Sequence, residues 1–422
     1  MMTNSRTFPV LPLARQIFEI AADAGFEARI VGGAVRDFLR ENGVGTDQPP
    51  SDIDMAVAAP IEIAAKAFRA AGLRVIETGL SHGTVTVLDP RASDGGDPAS
   101  AKKPISIEVT QTRVDVTTDG RHATVAFRDD WLGDAQRRDF TINAIYIRAD
   151  GSVDDPLGGR ADLAAGHLRF VGDAGQRVRE DALRMLRYCR FLPLFGRTGS
   201  VPDAIAAIAE NADLARALSG ERVAGELARI YAGPDAASAI ALMRETGLDM
   251  AAIGVGLDDS ALVHLPPITA YGDDASAGWL VGLGVAMPPG YASNIAKRLR
   301  LSGKHARYLE KSDQYGDADM AKRLAPQNDD WQKAAWHLVR DKAQPAFVYA
   351  VATARTGNPV MAAHCLKLAI WQPPKCPVTG TDLLSQGVDK GPALGQMLDR
   401  IEARWVQSSF SLSKQELMAD AR

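Results

Sequence analysis

The pattern of this chain changes once, near residue 160, and that change restricts its fold more than any single motif does. Up to about residue 150, short apolar runs at 28–31, 53–57, 75–76, 84–88 and 105–109 alternate with helical stretches over 34–41 and 61–71. Such alternation calls for a sheet with helices packed on it. Beyond about residue 160, alanine-rich helical periodicity takes over, as in 203–218 and 236–245, and strand patterns become scarce. No internal repeat of fixed period accompanies it. The expected fold is α+β, a compact sheet-and-helix head followed by a long helical body and tail. Residues 91–104, RASDGGDPASAKKP, offer almost nothing to bury and read as a flexible hairpin insertion without chemistry.

Composition removes whole classes. Hydrophobic residues make up 46% and charged residues 24% of the 422 positions, which excludes a disordered or fibrous chain. Lys plus Arg is 48 and Asp plus Glu is 52, a formal charge of −4. A histone-like polycation is excluded, but nucleic acid is not, because counterion release depends on local contacts. Cys189, Cys365 and Cys376 form no C-x-x-C pair, so neither a disulfide framework nor a structural zinc site is expected and a reducing compartment is. No apolar run reaches the length of a membrane span, and the N-terminus lacks the apolar core of a signal peptide. The expected location is the cytoplasm, with no obligate protein partner implied.

The chemistry begins where a strand ends in Gly32-Gly33-Ala34-Val35-Arg36-Asp37 and a helix opens. Glycines there let backbone N–H groups approach phosphate oxygens, the helix start adds a positive field, and Arg36 adds a charged donor. An ordinary strand-to-helix turn would look the same. Further on, Asp52 and Asp54 stand two apart at the start of a strand, so their carboxylates share a face. Converging carboxylates repel unless a cation lies between them, and hard oxygen ligands suit Mg²⁺. A D-x-D on a solvated strand edge is common by itself. A phosphate cradle followed by a metal-binding pair is what a nucleotidyltransferase head requires.

GGAVRD followed by SDID resembles the class II tRNA nucleotidyltransferases (CCA-adding enzymes) and the related bacterial poly(A) polymerases, of the polymerase-β-like nucleotidyltransferase superfamily. Further blocks follow in order. Residues 137–144, RRDFTINA, match the family's nucleotide-binding block, and residues 155–163, DPLGGRADL, resemble its hinge from head to neck. The resemblance implies a mixed-sheet head over 1–160, then an all-helical neck over 161–225, body over 226–330 and tail over 331–422. It implies that Arg138 lies near the phosphates, and Asp139 and Asn143 near the ribose. A buried ion pair at a helix start is the other reading of that block. Asp52 and Asp54 would then be the catalytic metal ligands, with Gly32, Gly33, Arg36 and Arg138 on the triphosphate. Glu108 occupies the place of a third carboxylate, or is structural. The segment with Arg113 and residues 119–122, which includes His122, resembles the family's flexible loop.

Residues 179–190, REDALRMLRYCR, space Asp181, Arg184, Arg187 and Arg190 three apart on a predicted helix, with Leu183, Leu186 and Leu192 toward the buried side. A surface helix laced with salt bridges is one reading. The other has chemical content. Cytosine and adenine both present an exocyclic amine beside a ring-nitrogen acceptor, whereas guanine and uracil present the reverse. A carboxylate acceptor beside a guanidinium donor accepts C and A and leaves unpaired groups with G and U. The resemblance gives Asp181 and Arg184 this templating role, Glu180 a supporting one, and Arg187 and Arg190 contacts to the nucleotide.

Between residues 293 and 311, Lys297, Arg298, Arg300, Lys304, Arg307 and Lys311 face the single acid Glu310. This helix–turn–helix reads either as a solvated face or as a phosphate-tracking RNA surface. The segments 379–384 and 391–395 resemble a C-terminal family motif at two helix starts. None of the seven histidines precedes an aspartate, so an appended HD-type phosphohydrolase domain is not expected. The arginine-rich block of poly(A) polymerases is replaced by TGLSHGTVTVL. The expected activity is addition of CCA from CTP and ATP to the tRNA 3′ end with Mg²⁺. Poly(A) or CC-only synthesis is the alternative within the family, and a non-catalytic RNA-binding protein the alternative outside it.

Overall fold

The structure, a computed structural model, describes residues 8–40, 53–89, 106–118, 123–127, 130–196, 201–271 and 277–419. Asp52, the insertion 91–104 and His122 lie outside the described residues. The chain forms two compact units, Met1–Ala215 and Arg216–Arg422.

The first unit carries α1 (Pro12–Asp23), β1 (Ala28–Val31), α2 (Gly33–Arg40), β2 (Ile53–Val57), α3 (Ile61–Ala70), β3 (Arg74–Gly79), β4 (Thr84–Leu88) and β5 (Ser106–Gln111). Then come β6 (Arg113–Thr118), β7 (Ala123–Phe127), α4 (Trp131–Gln136), β8 (Tyr146–Ile147), β9 (Val153–Asp154), α5 (Gly159–Ala165), α6 (Ala174–Glu180), α7 (Leu183–Phe195) and α8 (Pro202–Asn211). A seven-stranded sheet runs β3-β4-β5-β2-β1-β8-β9. The β2–β5 pair is parallel and its neighbours are antiparallel, so the sheet is mixed, as expected.

One face of the sheet is dry because α1, α2 and α3 put Ile17, Val35 and Phe68 against Ile30, Met55 and Val109. Each side chain so buried stabilises the head by about 1.5–3 kcal/mol relative to exposure. The opposite face carries a smaller cluster of Val31, Ala56, Ala144 and Tyr146 with Trp131 and Leu157. Alternation in β5 buries Ile107 and Val109 and turns Glu108 outward.

One local expectation, that of a single neck helix, is corrected. The segment compared with a flexible loop contains a two-stranded antiparallel ribbon, β6 paired with β7, and residues 119–122 lie outside the described residues. Its Val- and Thr-rich alternation suits strands. The single neck helix is two helices, because Asp181 is extended (φ −149°, ψ 103°) between α6 and α7. Its carboxylate accepts the Leu183 N–H two residues on at 3.1 Å, a local turn bond of the kind aspartate makes, and α7 follows Ala182. The buried side of α7 is Met185, Leu186, Tyr188, Cys189, Phe191 and Phe195, while Leu183 and Leu192 are half-buried.

The hinge-like motif is tied to the RRDFTINA block by a close approach. A Cβ on Gly159 would stand 2.2 Å from the Thr141 carbonyl oxygen, and Gly158 before it has φ +73°. Only glycine fits both needs.

The second unit is helical: α9 (Gly220–Tyr231), α10 (Ala236–Glu245), α11 (Leu248–Ile253), α12 (Trp279–Ala286), α13 (Ala292–Arg298), α14 (Gly303–Gln314) and α15 (Ala318–Leu324). It continues with α16 (Trp331–Arg340), α17 (Pro345–Arg355), α18 (Ala362–Ile370), α19 (Gly380–Ser385), α20 (Pro392–Gln407) and α21 (Lys414–Ala419). In α17 every residue from Pro345 to Ala354 is buried, and it packs on α12, α14, α15 and α18. A separate cluster of Trp336, Leu383, Ile401, Trp405 and Leu417 holds the C-terminal helices. The two C-terminal motif segments do start helices, α19 with a Thr379–Asp382 capping box and α20 after Gly391. Among the described residues no helix is long and apolar enough to cross a membrane.

Candidate nucleotide and metal site

Asp54 is exposed on β2 and lies directly opposite Glu108 on β5, also exposed. Directly opposite residues on adjacent strands share a face, so two carboxylates stand side by side. On the other side β1 pairs Val31 with Asp54, and the chain turns at Gly32 immediately afterwards. Gly32 has φ +84°, and a Cβ there would stand 3.3 Å from Asp54 Oδ2. The glycine is thus required by backbone conformation and leaves the acid open beside the turn. Among the described residues no group of three or more His, Cys, Asp or Glu forms a metal cluster. Asp54 and Glu108 are the donors present, and hard carboxylate oxygens suit a divalent cation.

Behind this edge a chain of polar contacts runs from the glycine turn to the neck. Arg36, almost buried, donates from Nη1 to Asn143 Oδ1 at 2.8 Å and from Nε to Asp37 Oδ1 at 3.0 Å. Its guanidinium lies 4.9 Å from the ring centre of Phe191 and 4.4 Å from that of Phe195. Asn143 Nδ2 donates to Asp139 Oδ1 at 3.0 Å, and Arg187 Nε donates to Asp139 Oδ2 at 2.7 Å. Burial would push the Asp139 carboxyl up, but Arg187, Asn143 and the Phe140 N–H together hold it below the usual carboxylate range. Arg36, Asp139, Asn143 and Arg187 therefore form one connected group.

Arg138 does not join that group. Its Nη2 donates to Asp134 Oδ2 at 3.0 Å and its Nε to the Tyr146 hydroxyl at 3.2 Å. Arg137 Nε donates to Asp134 Oδ1 at 2.8 Å. The buried ion pair that the sequence allowed at this block is present. Sequence reasoning missed Asp134 itself, which is fully buried. The available signal was its spacing, an acid three and four residues before two arginines across a short helix.

On the neck, Arg184 Nη1 donates to Glu180 Oε2 at 2.8 Å and to the Arg177 carbonyl at 3.0 Å. Its Nη2 donates to the Arg137 carbonyl at 3.0 Å. Glu180 also pairs with Arg177. Arg187 and Arg190 follow at helical spacing on α7, the latter 4.3 Å over the Phe191 ring. Asp181 sits just before them at the helix break.

Comparison with known proteins gives this arrangement a family. The Poly A polymerase head domain family matches residues 28–169, and the family described as a probable RNA and SrmB-binding site of polymerase A matches residues 202–249. The mouse mitochondrial CCA tRNA nucleotidyltransferase 1 (Mus musculus) is 33% identical over 96% of this chain and 88% of its own length. The chain belongs to the CCA-adding enzyme and poly(A) polymerase family of nucleotidyltransferases. The CCA-adding enzyme of Levilactobacillus brevis is 30% identical over 96% of each chain. The crystal structure of the Bacillus stearothermophilus CCA-adding enzyme with CTP matches at a TM-score of 0.73 and 28% identity, covering 98% of this chain and 97% of that one.

Members of this nucleotidyltransferase family use a divalent metal ion, and the exposed Asp54–Glu108 pair fits one. In the helical unit α13 and α14 carry the basic cluster. Lys297, Arg300, Lys304 and Arg307 are exposed there, and Arg298 is half-buried. Arg300 adopts φ +52° between the helices and pairs with Glu221 at 3.0 Å. Lys304 lies 5.5 Å over the Tyr308 ring.

Proposed function

We propose that this nucleotidyltransferase adds CCA to the 3′ end of tRNA, using CTP and then ATP. The end-to-end similarity to proteins named for CCA addition carries the reading. In the reaction the RNA 3′-hydroxyl gives its proton to solvent, its oxygen bonds to the nucleotide α-phosphorus, the bond to the bridging oxygen breaks, and pyrophosphate leaves with that electron pair. Mg²⁺ held by Asp52 and Asp54, with Glu108 beside Asp54, would neutralise charge on the phosphates. The N–H groups after Gly32 and Gly33 at the start of α2 suit the triphosphate, with Arg36, whose guanidinium bonds Asn143 and Asp37, behind them. Asp139 and Asn143 suit the ribose. Asp181 and Arg184, steadied by Glu180, suit the shared edge of cytosine and adenine, with Arg187 and Arg190 alongside. Arg138, bound to Asp134, would meet a phosphate only by exchanging one of its present partners. Transfer of this kind depends mainly on positioning and charge stabilisation, which these residues can supply without a nucleophilic side chain.

For the rest of the RNA, Lys297, Arg298, Arg300, Lys304 and Arg307 suit a phosphate backbone. The neck, body and tail divisions at 161, 226 and 331 and a cytoplasmic location belong to the same reading, the latter supported by three free thiols. The test is incubation with tRNA lacking its CCA end and each labelled nucleotide. Labelling by CTP, and by ATP only after CTP, is expected. ATP incorporation alone on any RNA would replace CCA addition with poly(A) synthesis, and CTP alone would reduce it to a CC-adding activity.

A further inference from the structure

The buried acid Asp134 has a reach that its ion pairs alone do not express. It accepts from Arg137 Nε at 2.8 Å, from Arg138 Nη2 at 3.0 Å and from the Tyr146 hydroxyl at 2.8 Å, and none of its side chain is exposed. Burial pushes its carboxyl up, yet Arg138, Arg137 and Tyr146 more than offset this and hold it below the usual range. It is therefore an anion at neutral pH, fixed from three sides. Both arginines lie at the C-terminal end of α4, a six-residue helix. Carbonyls at such an end lack intrahelical partners and carry partial negative charge.

Those carbonyls are where the neck attaches. Arg177 Nη1 donates to the Gln136 carbonyl at 2.8 Å, and Arg184 Nη2 donates to the Arg137 carbonyl at 3.0 Å. Arg184 is thus oriented by three acceptors, Glu180 and the Arg177 carbonyl on the neck and the Arg137 carbonyl on the head. With the side chain of Arg137 locked onto Asp134, its peptide oxygen has one direction. A donor that must tell one base edge from another needs its plane held within a fraction of an ångström.

We propose that Asp134 is a positioning residue for base selection: by clamping Arg137 and Arg138 it fixes the carbonyl that orients Arg184. The proposal rests on the reading that Arg184 meets the base. Without the carboxylate charge the two arginines lose their common anchor, the end of α4 is free to turn, and Arg184 keeps only its neck partners. A guanidinium free to rotate offers its donors to uracil and guanine as well.

The experiment measures kcat/KM for CTP and UTP on tRNA lacking its 3′ end, in Asp134→Asn, Tyr146→Phe and Arg184→Ala. Asp134→Asn is expected to lower the CTP-to-UTP ratio at least tenfold. Tyr146→Phe removes one neutral bond to the same carboxylate and the acceptor of Arg138 Nε, leaves both arginines paired with Asp134, and is expected to keep the ratio within about twofold. Parallel loss for both nucleotides in Asp134→Asn, or an equal change of ratio in Tyr146→Phe, would mean that the acid only supports the core and would overturn the proposal. Should Asp134→Asn fail to fold, Arg137→Met severs the tether while keeping the carbonyl, and an unchanged ratio there overturns it equally. Arg184→Ala separates the two readings. If it loses selectivity while the tether variants do not, base reading stands and positioning fails; if it keeps selectivity, both fail.

Discussion

At the scale of single residues, the exposed candidate metal ligand Asp54 and the buried acid Asp139 call for different tests. Asp54 is exposed and its neighbours across the sheet and at the turn leave it room. Asp54→Asn is therefore expected to abolish nucleotide addition by at least a thousandfold, while thermal unfolding shifts by no more than a surface substitution does, about 0.5 kcal/mol. A comparable loss of stability would make the acid a fold residue. Asp139 behaves oppositely. Its carboxyl is lower in the folded head than in the unfolded chain, so it contributes stability above the ordinary carboxylate pKa. That contribution is lost as pH falls from about 4 toward the lower folded value. Melting followed between pH 7 and 3 should show an acid limb that Asp139→Asn flattens. Asp54 and the glycine turn were legible because chemistry writes them as a short motif. Glu108 was legible only halfway, since its register against Asp54 depends on a parallel pairing that sequence does not specify. Asp134 was legible only as a spacing before Arg137 and Arg138, and a buried acid whose arginines are its near neighbours resembles any charged helix end.

Elements show how neighbouring motifs become one object. The motif around Gly158 and Gly159 reads as a turn, yet its decisive feature is contact with the Thr141 carbonyl, an approach made where the start of α5 packs on the RRDFTINA block. Gly159→Ala places a methyl 2.2 Å from that oxygen and is expected to cost about 1–3 kcal/mol. Urea unfolding would check it, and a midpoint unchanged from the parent would show that α5 can move aside. The break at Asp181 carries its own expectation. Loss of one such hydrogen bond costs about 1 kcal/mol, so Asp181→Ala should lower stability by that amount and also relax discrimination against UTP and GTP. The period of three from Asp181 to Arg190 hid this break. It suggested one helix, whereas an aspartate followed by an apolar periodic run also marks a helix start.

For the whole molecule, a total charge of −4 gives no guide to its partner, because acids and arginines are paired around the candidate nucleotide site while α13 and α14 carry a local excess of cations. Changing Arg300, Lys304 and Arg307 together to alanine should weaken tRNA binding and reduce the salt slope of the logarithmic affinity by about one per contacting side chain. The KM for CTP should stay close to that of the parent. Unchanged salt dependence would make the cluster a solvated face. The switch from alternating to helical texture near residue 160 tracks where the strands stop, since the period of apolar residues follows directly from backbone geometry, whereas the two compact units divide only after Ala215. How helices distant in sequence share a core was not encoded there in readable form. The ten consecutive buried residues of α17 make the point, for they touch α12, α14, α15 and α18 at once. Such a helix has no neutral side on which substitutions can drift. Chimaeras between relatives should therefore survive only when the segment from α12 to α18 is inherited as one block, and a crossover inside it would mate surfaces that never evolved together.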